Sequence, residues 1–182
     1  NNSDSVLYAD GLVILESAFN TSQKYDYTPD IMSRAMAVQC VYAIPGNGKD
    51  YPVQPGESLL ICDKAIDHRE ANSNSFDLSN ADFEWFDDND KNPDIDNPQV
   101  TNLDKIYSYT KTTWSLHNQG LCAYAIARLQ VDKNTFLTDY TYKATYINVI
   151  GNSQNKSAYQ VPNEWIIDAV NISNKAQYAW NV

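Results

Sequence analysis

Short apolar runs separated by polar turns dominate this chain, and this pattern predicts β-strands. Residues 38–44 are rich in β-branched and aromatic side chains and end at a Pro-Gly-Asn-Gly turn. Residues 58–62, 121–129 and 165–172 form further apolar runs of strand length. We predict these four segments as core strands, with 58–62 central in its sheet because its apolar run is continuous.

The segments between these runs predict weaker strands, a hairpin and one short helix. Residues 7–15 predict two strands around a turn, 83–85 alternate like a half-exposed strand, and 136–150 carry aromatic residues at a period of two. A hairpin is predicted around residues 117–120, where Gly supplies the turn. The Thr-Pro-Asp at 28–30 is typical of a helix start, because Pro fits the first turn and Asp favours that end.

Composition supports a β-rich, globular chain. Of the acidic residues 18 are Asp and 5 are Glu, and Asp is typical of turns whereas Glu favours long helices. The chain also holds 13 Tyr, 5 Phe and 4 Trp, which favour strands. An all-β domain spanning 1–182 is therefore expected, with long loops and one short helix.

Charge and cysteine usage exclude several function classes. The net charge of -10 repels phosphate backbones, so nucleic acid is not an expected partner. No run of 18 apolar residues occurs, so no membrane span is predicted. Cys40, Cys62 and Cys122 have no C-x-x-C spacing, which argues against a zinc site. They are interpreted as small buried residues, with one Cys40–Cys62 bridge left open.

Several stretches resemble lamin-tail domains. NNSDSVLYADGLVILES at the start resembles that family's Asn-rich turn and Asp-Gly corner, and VQPGESLLICD resembles its Pro-Gly turn before a central strand. SFDLSNADFEWFD resembles the Leu-Ser-Asn turn that follows. With DKAIDH, LSNADFEW and PNEWIIDAVN as its most specific stretches, the chain is most similar to an uncharacterised Bacteroidota cell-envelope family related to lamin-tail domains.

This resemblance implies an immunoglobulin-like β-sandwich without an assigned activity. It implies a periplasmic, outer-membrane-associated or extracellular location, and it leaves room for a lipid anchor in the full-length precursor. Lamin-tail-like proteins have a strand before the Asn-rich turn, whereas this chain begins at the turn. A fragment of a longer exported protein is therefore expected, with an unpaired edge in the sheet that contains residues 7–15.

No catalytic constellation can be identified from the residues. His68 and His117 are the available histidines, and no G-x-S-x-G or nucleotide-binding motif accompanies them. Asp82 and Glu84 flank Phe83 on one face of a predicted strand, roughly 6 to 7 Å apart, which is a spacing that a glycosidase could use. The same pattern is typical of a solvated face, so we predict that the chain is not an enzyme.

Two groups of residues are candidate binding sites. Tyr107, Tyr109 and Trp114 lie near a predicted loop and are candidates for a ligand surface that stacks on a sugar or a protein. The acidic loop at 87–98 places carboxylate and amide oxygens at alternate positions, which would suit calcium, although Pro93 and Gln99 break the helix-loop-helix calcium consensus. The candidate calcium ligands are Asp87, Asp88, Asp90, Asn92, Asp94 and Asp96. No other cofactor is expected.

We therefore expect a non-catalytic cell-envelope or extracellular module that binds a protein or glycan partner. A glycan hydrolase that uses loop carboxylates and a structural spacer domain are the alternatives. A convergent pocket with two carboxylates or a histidine would favour the hydrolase, whereas an exposed aromatic face would favour binding.

Overall fold

The computed structural model describes residues 1–18, 26–27, 33–85, 96–109, 122–147 and 150–172. These residues are mostly β, with a single α-helix, α1 (Lys133–Asp139), among them. Their strands, in chain order, are β1 (Leu7–Tyr8), β2 (Leu12–Ser17), β3 (Asp26–Tyr27), β4 (Ala35–Ala43), β5 (Pro52–Val53), β6 (Ile61–Cys62), β7 (Phe83–Glu84), β8 (Thr101–Asn102), β9 (Asp104–Ser108), β10 (Ala123–Arg128), β11 (Thr141–Ile147), β12 (Ser153–Pro162) and β13 (Ile166–Asn171). No helix in these ranges is long and apolar enough to cross a membrane.

Contacts divide the chain into two compact units, which are described separately. Within the described ranges, the first unit holds residues 1–11 and 42–105, and the second holds 12–41, 106–109 and the C-terminal part from 122. The expectation of one domain over 1–182 stays a prediction.

The second unit is built on an eight-stranded sheet. Its order is β13-β10-β2-β4-β12-β11-β3, with β9 also paired to β4, and the printed registers are antiparallel. Among the described strands the sheet has two ends, so it is not a closed barrel. The predicted strand at 38–44 is confirmed, because β4 covers most of it and Val38 and Val41 are fully buried.

The predicted strands at 121–129 and 165–172 are both confirmed as strands, but the second was wrongly assigned to the core. β10 lies within the predicted 121–129 segment and turns Ala123, Ala125 and Ala127 into the core. β13 lies within 165–172 at one end of the sheet among the described strands, but most of its side chains are exposed on both faces of the sheet. The prediction that it is a core strand was therefore wrong.

Helix α1 occupies the start of the segment that was predicted as a strand at 136–150. The Asp132 side chain caps it by accepting from the N–H groups of Asn134 (2.9 Å) and Thr135 (3.1 Å). Its buried Phe136 ring stacks against Tyr159 at 5.4 Å. The strand begins only at β11, so the prediction was wrong for residues 136–140. The predicted helix start at 28–30 and the hairpin turn at 117–120 lie outside the described residues.

The first unit contains a β1–β5 pair and a parallel three-stranded sheet in the order β6-β7-β8. Among the described strands β6 is therefore at one end of its sheet, and the prediction that 58–62 is central was wrong. The segment at 83–85 is not half-exposed either, because Phe83, Glu84 and Trp85 are all buried. The Trp85 ring stacks on Tyr42 at 5.7 Å.

The Asp10 carboxylate organises the turn at 46–51. Its Oδ1 accepts from the N–H groups of Gly48 (3.1 Å) and Asp50 (2.8 Å), and its Oδ2 accepts from Tyr51 (2.9 Å). Gly46 has a φ of +119° and lies against this carboxylate, so a side chain there would collide with it. This turn fixes how the chain leaves β4 and enters β5.

The predicted unpaired edge at residues 7–15 stays a prediction, because among the described residues β1 has a strand neighbour, β5, on one side only. β1 and β2 belong to different sheets, and β2 has strand neighbours on both sides, β10 and β4. The Asp10–Gly11 turn passes the chain from one sheet to another rather than forming a hairpin. Among the described residues, the open end of the large sheet that is rich in apolar side chains is β13.

Candidate functional site

The structure does not assemble the predicted aromatic ligand surface from its three residues. The Tyr107 ring packs against Tyr159 in an edge-to-face arrangement with the ring centroids 4.4 Å apart, so part of its aromatic surface is already in contact. Tyr109 is 49% exposed, and the Lys156 ammonium lies 5.8 Å from its ring centroid. Trp114 lies outside the described residues. Of the three, Tyr109 retains the largest exposed aromatic surface that the structure describes.

The predicted calcium ligands fall almost entirely outside the described ranges. Asp87, Asp88, Asp90, Asn92 and Asp94 are not described. Asp96 is described, and its Oδ2 accepts from Asn102 Nδ2 at 3.3 Å. Within the part of the chain that the structure describes, no group of three His, Cys, Asp or Glu residues could hold a metal ion. Calcium binding stays a prediction.

The two carboxylates of the hydrolase alternative are both engaged by backbone. Asp82 is exposed, and its Oδ2 accepts from Leu60 N–H at 2.7 Å. Glu84 is fully buried and accepts from Ala65 N–H at 2.9 Å and from Asn97 N–H at 2.8 Å. These bonds tie three loop segments to β7. The arrangement gives both carboxylates a structural role.

Neither histidine brings the expected catalytic partners together. The His68 Nε2 lies 3.1 Å from the Lys64 carbonyl oxygen, and His117 is outside the described residues. Arg69, which follows His68 in the chain, forms surface salt bridges to Asp67 at 2.7 Å and to Asp77 at 2.8 Å. Because Arg69 binds it, the pKa of Asp67 is lowered to about 2. These groups form a surface ion network.

A buried polar cluster in the second unit was not predicted. Glu16 is fully buried on β2 and accepts from Gln39 Nε2 on β4 at 2.5 Å. Lys156 on β12 donates to Gln39 Oε1 at 2.9 Å. Sequence offered one signal for this cluster, which is a Glu and a Gln inside otherwise apolar strands. The amide of Gln39 thus links a buried carboxylate to an ammonium across three strands.

Burial controls the protonation of the groups around this cluster. It raises the pKa of the Cys40 and Cys122 thiols to about 12, with the nearby Glu16 carboxylate adding to the effect. Burial also lowers the pKa of Lys156, while Glu16 opposes that change. Because thiols with such a pKa stay protonated at neutral pH, neither cysteine is an activated nucleophile. The cluster is best understood as polar support for the sheet.

Among the described residues, β13 has a strand neighbour on one side only, and several of its apolar side chains are exposed. Ile167 is 58% exposed, Val170 is 55% exposed and Ile172, just beyond the strand, is 44% exposed. Ile172 N–H donates to Cys122 O at 3.2 Å, so these two residues form a hydrogen-bonded pair. Such pairs alternate along antiparallel strands, so the backbone groups of Ala169 and Asn171 point away from β10.

Two shallow hollows lie along β13, one on each face of the sheet. The register pairs Val170 with Tyr124 and Asp168 with Ile126, and it pairs Asn171 with Ala123 on the opposite face. The first hollow, of about 180 Å³, is lined by Ile14, Tyr124, Ala125, Ile126, Asp168, Ala169 and Val170. The second, of about 260 Å³, is lined by Ala35, Met36, Ala123, Asn163, Ile166, Ala169, Val170 and Asn171. Both are mainly apolar.

Comparisons with known proteins identify relatives but no activity. A family model described as "Protein of unknown function (DUF4876)" matches residues 54–182, which is more than half of the chain. A crystal structure of a DUF4876 family protein from Bacteroides thetaiotaomicron VPI-5482 is similar, with a TM-score of 0.75 and 24% sequence identity. The match covers 100% of this chain and 49% of that one, so the chain spans about half the length of that relative. No curated protein matches.

Proposed function

Since this chain belongs to the DUF4876 family of proteins of unknown function, we propose that it is a non-catalytic cell-envelope or extracellular module that binds a protein partner at the edge strand β13. A segment of the partner would pair with β13 as an added strand. In this mode, backbone hydrogen bonds provide affinity, and alternate side chains enter pockets on the two faces.

One observation carries this proposal: β13 is an apolar strand that has a strand neighbour on one side only among the described residues. Exposed edges of this kind are pairing templates, and soluble proteins usually protect them with charge, proline or a covering segment. Ile167 and Val170 are each more than half exposed, so the apolar side chains of this edge strand are not covered by the described residues. The two hollows beside it are placed to receive alternating side chains of an added strand.

The location and the finer architecture are part of the same proposal. The lamin-tail-like stretches support an immunoglobulin-like sandwich in an exported protein, and the exported location rests on that resemblance alone. The absence of catalysis is supported by Asp82 and Glu84, whose carboxylates are engaged by backbone N–H groups.

Glycan binding is a second candidate, and the half-exposed Tyr109 ring favours it. An exposed tyrosine ring is suited to stacking on a sugar ring. This candidate uses a different surface from β13, so the two can be separated by variants.

Selection of random nine-residue peptides from a displayed library, with the 182-residue chain immobilised, tests the proposal. We expect extended binders that Asn171→Pro releases, because proline removes an N–H that points away from β10. Asn171→Ala removes the same side chain but keeps the N–H, so it should retain the binders. Peptides that bind Asn171→Pro and the parent equally, or a failure to select any, would contradict strand addition. Glycan-array binding lost only in Tyr109→Ala would favour the second candidate.

A further inference from the structure

The charged group at the β13 edge is Asp168. It lines the hollow on one face together with Ile14, Tyr124, Ile126 and Val170, and none of those four side chains is ionised at neutral pH. Asp168 is exposed, and its Oδ1 accepts from the N–H of Ala169 at 2.8 Å. That N–H is one of the groups that point away from β10, so the carboxylate occupies a donor that an added strand would otherwise use.

An added strand must therefore displace the Asp168 carboxylate from Ala169. The added strand would also cover the exposed Asp168 carboxylate in this mainly apolar hollow, and removing a charge from water without giving it a partner is unfavourable. A cationic side chain on the incoming strand, directly across from Asp168, removes that cost. A carboxylate on the incoming strand would instead place two like charges opposite each other, which destabilises strand pairing.

The charge of the whole chain acts in the same direction. A net charge of -10 attracts cationic segments and repels acidic ones over long range. It also opposes the pairing of two copies of this chain through β13. Charge complementarity thus favours a basic partner over a second copy.

We propose that the occupant of β13 is an extended, alternating apolar segment of a partner protein that carries a lysine or arginine opposite Asp168. This inference rests on the proposed function, because it names the chemistry of the partner at the same edge. An apolar side chain beside the basic residue contacts Val170, and the residues that alternate with these two face the second hollow.

Two seven-residue peptides of alternating valine and threonine, which differ only in a central lysine or glutamate, test this inference. Their dissociation constants for the 182-residue chain are measured by fluorescence anisotropy. We expect the lysine peptide to bind about tenfold more tightly at low salt, because attraction replaces repulsion at one site. In 1 M salt, where screening acts over about 3 Å, the two constants should converge.

Asp168→Asn provides the decisive variant, because an amide oxygen can still accept from Ala169 while the charge is removed. The preference for lysine should fall to about threefold, the remainder coming from the net charge of the chain. Asp139→Asn makes the same change in net charge on an exposed residue at the end of α1, and it should leave the preference at about tenfold. A preference that both variants reduce equally, or equal binding of the two peptides by the parent, would overturn the inference.

N-methylated peptides separate failure of this inference from failure of strand addition. Methyl groups on the amides of one peptide edge should abolish binding, whereas methyl groups on the opposite edge should not. If the edge matters but lysine and glutamate bind equally, strand addition stands and the basic partner is wrong. If neither edge matters, both proposals fail. A parent that sediments as a dimer and an Asn171→Pro variant that is monomeric would assign β13 to a second copy and refute the basic partner.

Discussion

Replacing Glu84 by glutamine should destabilise the first unit far more than its small change in shape suggests. The Glu84 carboxylate is fully buried and accepts from the N–H groups of Ala65 and Asn97 at 2.9 and 2.8 Å. Glutamine keeps one oxygen, so one of these two N–H groups would face an amide NH₂ instead of an acceptor. The variant therefore leaves one buried donor without an acceptor and weakens the other bond by removing the charge.

The expected cost follows from these two changes. A hydrogen bond to a charged group contributes about 1.5–3 kcal/mol, and a buried donor left without an acceptor costs about 1–3 kcal/mol. The two contributions overlap, so Glu84→Gln should lower the free energy of unfolding by about 3 kcal/mol. With a urea m-value of about 2 kcal/mol/M for a chain of this size, the midpoint should fall by about 1.5 M.

Urea unfolding followed by circular dichroism measures the midpoint, and amide hydrogen exchange at Ala65 and Asn97 localises the effect. Glu57→Gln is the matched control, because Glu57 Oε2 also accepts from a backbone N–H, that of Gln54 at 2.7 Å, but is exposed. The control should change stability by less than about 0.5 kcal/mol. Equal midpoints for the two variants, with unchanged exchange at Ala65 and Asn97, would refute the inference that the buried Glu84 carboxylate stabilises the first unit through its bonds to these two N–H groups.

Three further predictions concern turn geometry, thiol reactivity and acid stability. Gly56→Ala should lower the free energy of unfolding by about 1 kcal/mol, because Gly56 has a φ of +83° although the space around it is open. Gly46→Ala should lower it by at least twice as much, because the added Cβ would also collide with the Asp10 carboxylate. Thermal melts compare the two variants, and equal melting temperatures would contradict the collision. Cys40 and Cys122 should react with a thiol reagent at pH 8 only as fast as the protein unfolds, because burial raises the pKa of both thiols to about 12. Rapid reaction of these two thiols under native conditions would be inconsistent with their burial. Burial alone would raise the pKa of Asp10, but hydrogen bonds from backbone N–H groups outweigh burial and lower this pKa. The Asp10 carboxylate therefore stabilises the fold above its unfolded pKa and loses that contribution as the pH falls through its folded pKa. The urea midpoints of Asp10→Asn and the parent should converge toward low pH, and a constant difference between them would argue against this linkage.

The sequence predicted strands where local composition and burial agree. β4 is an example, because its β-branched and aromatic residues are buried on both faces in the middle of a large sheet. β10 was also predicted from its apolar run, although only its Ala123, Ala125 and Ala127 face is buried. In these segments the apolar run itself determines both the strand and its place in the core.

Position within a sheet could not be predicted, because it depends on partners far away in the chain. β13 is as apolar as a core strand, yet it pairs on one side only among the described residues. Glu84 looked like half of an exposed carboxylate pair, but N–H groups from distant loop residues made its burial favourable. Helix α1 was missed although Asp132 and Thr135 carry a recognisable cap, because the aromatic alternation after it was extended too far back.

The candidate site was harder to predict than the strands. The apolar content of 165–172 was visible, but its exposure was not, so the strand was assigned to the core rather than to a binding edge. The link between Glu16, Gln39 and Lys156 joins three strands whose order in the sheet cannot be read from the sequence. Of the aromatic residues singled out, Tyr109 is half-exposed and Tyr107 packs against Tyr159.

The strand order of the large sheet also constrains how the protein reaches its native state. β2, near the start of the chain, pairs with β10, and the bond from Ala123 N–H to Ser17 Oγ closes a separation of 106 residues. Such long-range pairing must overcome loop-closure entropy before any contact compensates for it, so folding of this unit should take milliseconds to seconds or longer. Until β10 has been synthesised, β2 lacks a strand neighbour that its apolar residues require. A growing chain therefore exposes Val13 and Leu15 until β10 has been synthesised, which makes it prone to aggregation during that interval.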